Sequence, residues 1–518
     1  MRRLRVTSDP GLPPLAWCVR LRRGNDVELL CGASVEVRDD GFFEGAWAGR
    51  AEAFDFTDAT DVFGSGGRIT GDHLTIVPPS HTLERVQFIQ RPGETLISNS
   101  LVFLLTAAGA ELDPHYAAYA NDFTKIVYYG LAAFDTAIPL RFSGLPKNAA
   151  GGQNQAHLIY LKNIRLHWDG RISFVDKPAV PSFGTYDEYV ALLVDVVQQT
   201  ATNAASTDRK TRYSPLVTVS TGYDSSAVAA AVRRAGGEKA VTFLRARAEG
   251  RSEVEEDSGR PIADALGYQL KEFDREAYRN MGSLPEAEFL ATGMSGEDVN
   301  LVAFEADLRH SVFFTGFHGG RVWNMHGSPD VMLTSNDMSG GSMNEFRLRA
   351  DFVHVPAPFI GARRQPKILE IGNSEAMKRW SIGTDYDRPV ARRIAEDAGV
   401  PRAAFGQKKR ATTALLHVNG DSAWTPATRE AVRQYARGQK LGLQTRLSYL
   451  FDATRESARS FAYRALHKLE LLHLVPGLAE KPAEVHSHTL LGPLPILWAT
   501  AEIASRYKPA VEAWSDER

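Results

Sequence analysis

The sequence predicts two joined parts. The first is an α+β domain built on antiparallel strands. The second is an α/β domain on an open parallel sheet that ends in a helical cap. Three observations carry this expectation. Between about Leu15 and His167 the chain consists of short β-rich pieces separated by glycine and proline, a spacing suited to antiparallel strands. From Tyr186 to about Val355 apolar strands alternate with helical stretches, the pattern of a parallel sheet with crossover helices. From Arg388 onward helical periodicity dominates.

In chain order, Val27–Leu30, His73–Val77 and Val86–Ile89 read as strands, and Glu94–Ser100 followed by Leu101–Leu105 as strand, turn and short helix. Ala156–Leu161 and Arg171–Val175 read as a late hairpin. Pro178, Pro181 and Gly184 break the pattern, dividing the chain into residues 1–180 and 185–518. Tyr186–Ala205 is an amphipathic helix with Tyr189, Leu192, Leu193 and Val196 on one face. Leu216–Val219, Ala240–Leu244 and Ser311–Gly316 read as parallel strands, and Phe352–Val355 as a fourth or as part of a helical insert. A helix over Asp257–Leu266 is closed by Gly267. The clearest late helices are Arg429–Tyr435, Leu447–Leu474 and Ile496–Tyr507, which form the expected cap on the sheet.

Composition narrows the function. A chain of 518 residues is long enough for two or three domains. Its formal net charge of −2 gives no support to a non-specific nucleic-acid binder. Cys18 and Cys31 have no metal-like spacing and form no disulfide framework, which points to a reducing, cytoplasmic setting. No apolar run follows the basic N-terminus, so no signal peptide is expected. Leu490–Ile503 is too short to span a bilayer.

The chemistry concentrates in Leu216–Ser226. Four strand-forming residues lead through Ser220, Thr221 and Gly222 into Tyr223, Asp224, Ser225 and Ser226 and an alanine-rich helix. A helix N-terminus after a polar turn suits an anion. Gly222 is expected to let the backbone turn and approach a ligand. The hydroxyls supply donors, and Asp224 can cap the helix or help hold a cation. No Gly-Lys-Ser or Gly-Lys-Thr follows, so this is not a Walker loop. Leu244 and Gly316 also fall at strand C-terminal ends, where ligands of such sheets bind. Val219, Ser220, Thr221, Gly222, Tyr223, Asp224, Ser225, Ser226, Leu244 and Gly316 are therefore the candidate nucleotide-binding residues.

Ser220-Thr221-Gly222-Tyr223-Asp224-Ser225 resembles the Ser-Gly-Gly-x-Asp-Ser signature of the PP-loop ATP pyrophosphatases, with Thr221 in place of the first glycine. The order of β-rich domain, linker helix, Ser220–Ser226 cradle, acidic segment, glycine-ended strand and late lysine resembles the asparagine-synthetase and β-lactam-synthetase family over most of the chain. The resemblance implies a degenerate amidotransferase-like β sandwich before a PP-loop (HUP-like) synthetase domain. It implies ATP and Mg2+ as cofactors, with Asp224 and Glu255, in the run Glu253, Glu255, Glu256 and Asp257, as metal ligands. Lys408 and Lys409 fall where the family carries a lysine that contacts the phosphates.

Three departures matter. Arg2 stands where a glutamine-hydrolysing member needs cysteine, so ammonia release from glutamine is not expected. The family's acidic third-strand motif is replaced by Thr315–Arg321, with Phe317, Gly320 and Arg321 at its acidic positions. His318 and Arg321 are candidates to replace that lost function, and Arg321 joins Lys408 and Lys409 as a candidate catalytic cation. The acceptor-binding region shows no alignable residues. Asp385, Asp387 and Arg388 either orient the lysine segment or cap the following helix. His354 reads as a satisfied structural histidine, and His486 with His488 lacks a third metal ligand.

The expected function is an AMP-forming carbon–nitrogen ligase that joins a small-molecule or peptide carboxylate to an amine. No nucleic acid and no membrane are expected as partners, and a homodimer is left open. The competing expectation is a degenerate synthetase homologue retained as a nucleotide-binding or scaffold protein.

Overall fold

The structure, a computed structural model, describes residues 2–130, 135–142, 155–248, 254–326, 338–384, 386–408, parts of 410–439, isolated residues between 445 and 466, and 493–516. Two sheets lie in the first third of the chain. The eight-stranded sheet runs Leu4–Ser8, Val27–Cys31, Trp17–Arg22, Glu94–Ser98, Val86–Arg91, Gln155–Ile159, Asp135–Phe142, Ala110–Leu112. The six-stranded sheet runs Ile172–Val175, Asn163–His167, His73–Val77, Val62–Thr70, Gly41–Trp47, Glu36–Arg38. Neighbours are antiparallel except Leu4–Ser8 beside Val27–Cys31, which is parallel. Trp17, Val19 and Leu29 of one sheet meet Phe42, Ile69, Leu74, Ile164 and Leu166 of the other in a shared core. Alternating strands bury one face each in this way.

The expected late hairpin does not form. Gln155–Ile159 pairs with Asp135–Phe142 and Val86–Arg91, whereas Ile172–Val175 pairs with Asn163–His167 in the other sheet. Leu161, at φ 62°, lies at the crossover between the sheets.

The third sheet is parallel throughout, in the order Gln269–Phe273, Lys239–Phe243, Ser214–Thr218, Ser311–Thr315, Val353–Pro356. Reading its strands by chain position gives 3-2-1-4-5, so the order reverses at the first strand. Gln269–Phe273 is an edge strand that the sequence reading missed. The segment around Phe352 is a strand, not a helical insert. Arg260–Leu266 is a helix stopped by Gly267 in the left-handed region at φ 71°, shorter at its start than expected.

Helix Tyr186–Ala205 forms where the periodicity placed it. Thr185 and Glu188 close a capping box at its start, satisfying backbone donors that the first turn leaves open. It packs on the Gly41–Trp47 strand and on the helix that follows the cradle, so it joins the sandwich to the parallel layer. Buried residues of both parts belong to one hydrophobic cluster.

Among the described residues, part of the expected helical cap packs on the parallel layer. Pro389–Asp397 packs on the cradle helix. Leu494–Ala504 and Lys508–Asp516 instead reach back to helix Leu101–Ala108 of the N-terminal part. Phe103 stacks on Tyr507 at 4.7 Å, and Glu345 accepts from Ser100 at 2.6 Å and from Tyr507 at 2.7 Å. Most of Leu447–Leu474 lies outside the described residues, as do His486 and His488. No helix among the described residues is long and apolar enough to cross a membrane.

Candidate functional site

The Ser214–Thr218 strand is central in the parallel sheet, and its C-terminal end opens where the strand order reverses. The loop Ser220–Gly222 and the helix Tyr223–Arg234 follow at once. Val219, 1% exposed, anchors the loop by donating its N–H to Val241 O at 3.0 Å. Its side chain belongs to the core.

The hydroxyls brace the loop. Ser220 Oγ and Ser225 Oγ share a hydrogen bond of 2.7 Å, and Ser225 Oγ also accepts the Ser220 N–H at 3.1 Å. Ser226 Oγ donates to Gly222 O at 2.7 Å. Thr221 Oγ1 donates to Asp257, which is buried, and Thr221 O accepts the Gly406 N–H at 2.8 Å. Two distant segments, around Asp257 and Gly406, are tied to one turn by these bonds.

Two expectations about the turn are corrected. Gly222 has φ −77° and ψ 159°, a conformation open to any residue, so the turn does not require glycine there. Tyr223 is fully buried rather than presented to a ligand. Its ring lies under the Arg392 guanidinium at 4.8 Å and beside Tyr386 at 4.9 Å, and its hydroxyl accepts from Arg392.

The glycines that the site needs lie after the neighbouring strand. A Cβ at Gly316 would stand 2.6 Å from Ser225 N, and one at Gly319 would stand 2.6 Å from Asp224 Cγ. Only hydrogen fits at both positions, which lets this loop press against the cradle helix. Gly316→Ala is therefore expected to force the two loops apart at a cost of about 1–3 kcal/mol. Urea unfolding measures it, and an unchanged midpoint would show that the contact yields without strain.

Asp224 is the second helical residue rather than the N-cap, and its carboxylate is engaged by a cation of the protein itself. No side-chain cap is made at Gly222, and the Asp224 carboxylate is ion-paired with Arg388. Desolvation is the largest influence on Arg388 and opposes its charge, but Asp224, Tyr386 and Tyr223 together outweigh it and the guanidinium pKa stands above its ordinary value. The Tyr386 hydroxyl, pushed up by burial, accepts a backbone hydrogen bond from Tyr223. The segment just before helix Pro389–Asp397 thus lies against the mouth of the cradle. Asp387 accepts from the Ile382 and Gly383 N–H groups at 2.8 and 2.9 Å, so it holds the preceding turn rather than capping the following helix. Asp385 lies outside the described residues.

The other candidates fall around this centre. Leu244 is 44% exposed at its strand end, with its carbonyl accepting the Asp257 N–H at 3.0 Å. Lys408 is exposed two residues beyond Gly406, which is tied to the loop. Lys409 lies outside the described residues. Glu255 has its backbone in strand Val254–Glu256, and its side chain lies outside the described residues. That strand pairs with Arg245–Ala248, which pairs with Arg410–Ala411, so the acidic segment and the lysine segment converge beside the cradle. Arg321 is half-buried, and desolvation lowers its pKa. His318, at φ 69°, stacks its ring on Phe359 at 4.5 Å, and His354 is buried with Nε2 2.9 Å from Thr315 Oγ1.

Sequence reasoning gave Asp257 and Arg388 no firm place in the site and passed over Tyr386 and Arg392. The available signal was Arg388-Pro389 at a helix start, with Arg392 one turn on and therefore on the same face.

The arrangement fits an anion better than a protein-held cation. A helix N-terminus, several hydroxyls and Arg388 converge at the strand end, conditions that favour phosphate. One carboxylate oxygen of Asp224 is paired with the Arg388 guanidinium, and Asp257 is engaged by Thr221. No family model matches the chain, and no curated protein matches it either. Fold and site together define a mixed α/β protein with an anion-suited loop at the switch point of a parallel sheet.

Proposed function

We propose that the chain is an ATP-dependent, AMP-forming carbon–nitrogen ligase of the asparagine-synthetase and β-lactam-synthetase type. In this reading a PP-loop domain follows a degenerate amidotransferase-like sandwich. The observation that carries it is the hydroxyl-rich loop at the switch point, with the Lys408 segment fastened to it through Gly406 and Thr221. Ligands of open α/β sheets bind at that point. The nucleotide's triphosphate sits on the loop, and any magnesium travels with the phosphates rather than on Asp224. The substrate carboxylate attacks the α-phosphate to give an acyl-adenylate and pyrophosphate. An amine then displaces AMP to form the amide. Glutamine is not the nitrogen source, since Cys18 and Cys31 are buried thiols that burial pushes up to about 12 and about 11. A cytoplasmic setting fits both the nucleotide and these reduced thiols.

Two observations favour the second reading, a nucleotide-binding protein without adenylation. Arg388 neutralises Asp224, and Arg321 stands where the related enzymes carry acid. ATP binding and ATP–pyrophosphate exchange separate the two. Ser225→Ala and Arg388→Ala are expected to weaken ATP binding by roughly ten- to a hundredfold, the worth of one hydrogen bond to a charged group, in proteins that remain folded. Unchanged affinity in both variants sinks the cradle assignment. Binding without exchange across a panel of carboxylates favours the second reading.

A further inference from the structure

The six-stranded sheet carries a cluster that the nucleotide reading does not use. His73 and His167 are directly opposed on antiparallel strands His73–Val77 and Asn163–His167, where facing side chains stand close enough to share a ligand. Their ring centroids are 5.5 Å apart. Asp72 adjoins His73 in the turn that opens the strand. We propose that Asp72, His73 and His167 form a binding site for one divalent transition-metal ion, with zinc the ion that this donor set suits best.

The orientation of the rings is the main argument. His73 Nε2 meets Thr70 Oγ1 at 2.9 Å, and His167 Nε2 meets Ser173 Oγ at 3.0 Å. Both Nδ1 atoms are thereby turned toward one carboxylate. His73 Nδ1 lies 2.8 Å from Asp72 Oδ1, and His167 Nδ1 lies 3.8 Å from Asp72 Oδ2. Hydrogen bonds from the far ring nitrogen are how proteins fix the tautomer and aim of a metal-binding imidazole.

The remaining geometry agrees. The candidate ligand atoms all lie within 4.8 Å of one another. Ligand bonds of about 2.05 Å in a tetrahedral site place donors about 3.3 Å apart, so small side-chain rotations close the site. Among the described residues, His167 Nδ1 is a buried nitrogen without a hydrogen-bond partner, a state that a bound ion relieves. Asp72 is 79% exposed, leaving an entry path and room for water at the open position. The turn is held in place from outside the cluster. The Trp168 N–H donates to Asp72 O at 3.2 Å, and Trp168 Nε1 donates to Gly71 O at 3.1 Å. Two imidazoles and one carboxylate suit zinc, copper or nickel, whereas magnesium and calcium prefer all-oxygen sites.

The test is zinc titration of the tag-free, chelator-treated full chain by calorimetry. One equivalent is expected to bind saturably at micromolar free zinc, undisturbed by excess magnesium. Asp72→Asn changes only an exposed side chain and is expected to weaken binding at least about tenfold, and Ser173→Ala by about tenfold through the His167 ring alone. His73→Ala and His167→Ala should each abolish the site, with circular dichroism confirming that both variants are folded. Absence of saturable binding up to about 100 μM zinc, or binding retained by Asp72→Asn and both histidine variants, overturns the proposal.

Discussion

Arg347→Met is expected to destabilise the protein by about 3–5 kcal/mol, the usual result of removing one partner from a buried ion cluster. Arg347 is 1% exposed and holds two carboxylates. It donates to Glu44 at 2.7 and 3.0 Å and pairs with Glu84 at 3.0 Å. Glu44 belongs to strand Gly41–Trp47 of the sandwich, whereas Arg347 belongs to helix Asn344–Ala350, which leads into the last strand of the parallel sheet. The cluster therefore bolts the two parts of the chain together. Methionine keeps much of the side-chain volume, so the loss measures charge rather than a cavity. Two carboxylates left in the interior face a large desolvation penalty. The interaction network does not supply that much net stability, and the same reasoning gives a control. Arg347→Met with Glu44→Gln and Glu84→Gln removes the stranded charges and should recover much of the loss. Urea unfolding at neutral pH measures both, and a single variant within about 1 kcal/mol of the parent would falsify the bolt.

His81 shows how closely this interior is matched to neutral partners. It is fully buried, and its Nδ1 accepts the Leu83 N–H at 3.3 Å. A proton on that nitrogen would break the bond. Burial, the largest influence, pulls the imidazole down to about 3 against the opposing pull of Glu84. The cluster thus separates one permanent cation from the neighbouring His81 ring, which stays uncharged.

What the sequence disclosed was what local physics decides. Helix Tyr186–Ala205 was legible because its capping residues and its apolar face are written within its own span. The cradle was legible because a β-branched run, a polar turn and an alanine run follow without interruption. Gln269–Phe273 was missed because an edge strand keeps one face wet, and Gln-Leu-Lys-Glu-Phe carries too few apolar residues to signal burial. The false late hairpin arose from pairing neighbours in sequence, although each segment found its partner in a different sheet. Pairing across long separations is set by the whole core, not by either strand. The same limit hid the Asp224–Arg388 ion pair, whose partners lie on one helix and just before the start of another. Gly316 and Gly319 were visible as glycines, but the reason for them is the cradle helix they touch. That contact is a property of the folded chain.

The largest chemical effect is expected at Lys408. Forming an acyl-adenylate places extra negative charge on the α-phosphate in the transition state, and a positioned ammonium meets that charge better than it meets bound ATP. Lys408 is exposed and follows a segment fixed by the Gly406–Thr221 hydrogen bond, so its reach begins at the loop itself. Lys408→Ala is expected to slow pyrophosphate release by about a hundredfold or more, on the scale of one lost oxyanion donor. ATP affinity should barely move, because the loop and Arg388 remain. Lys408→Arg should restore only part of the rate, since a planar fork does not place its charge as a compact ammonium does. Lys409→Ala is the necessary companion, because the neighbouring lysine has the same chemistry. Pyrophosphate release at saturating ATP is the measurement, once exchange has identified an accepted carboxylate. Parent rates in both single variants and in their double variant remove the lysines from the chemistry. Arg321, already half-buried beside the strand end, would then be the cation to replace next. A parent rate in Arg321→Ala as well would leave the adenylation without a charge partner among the three candidates and turn the balance toward nucleotide binding alone.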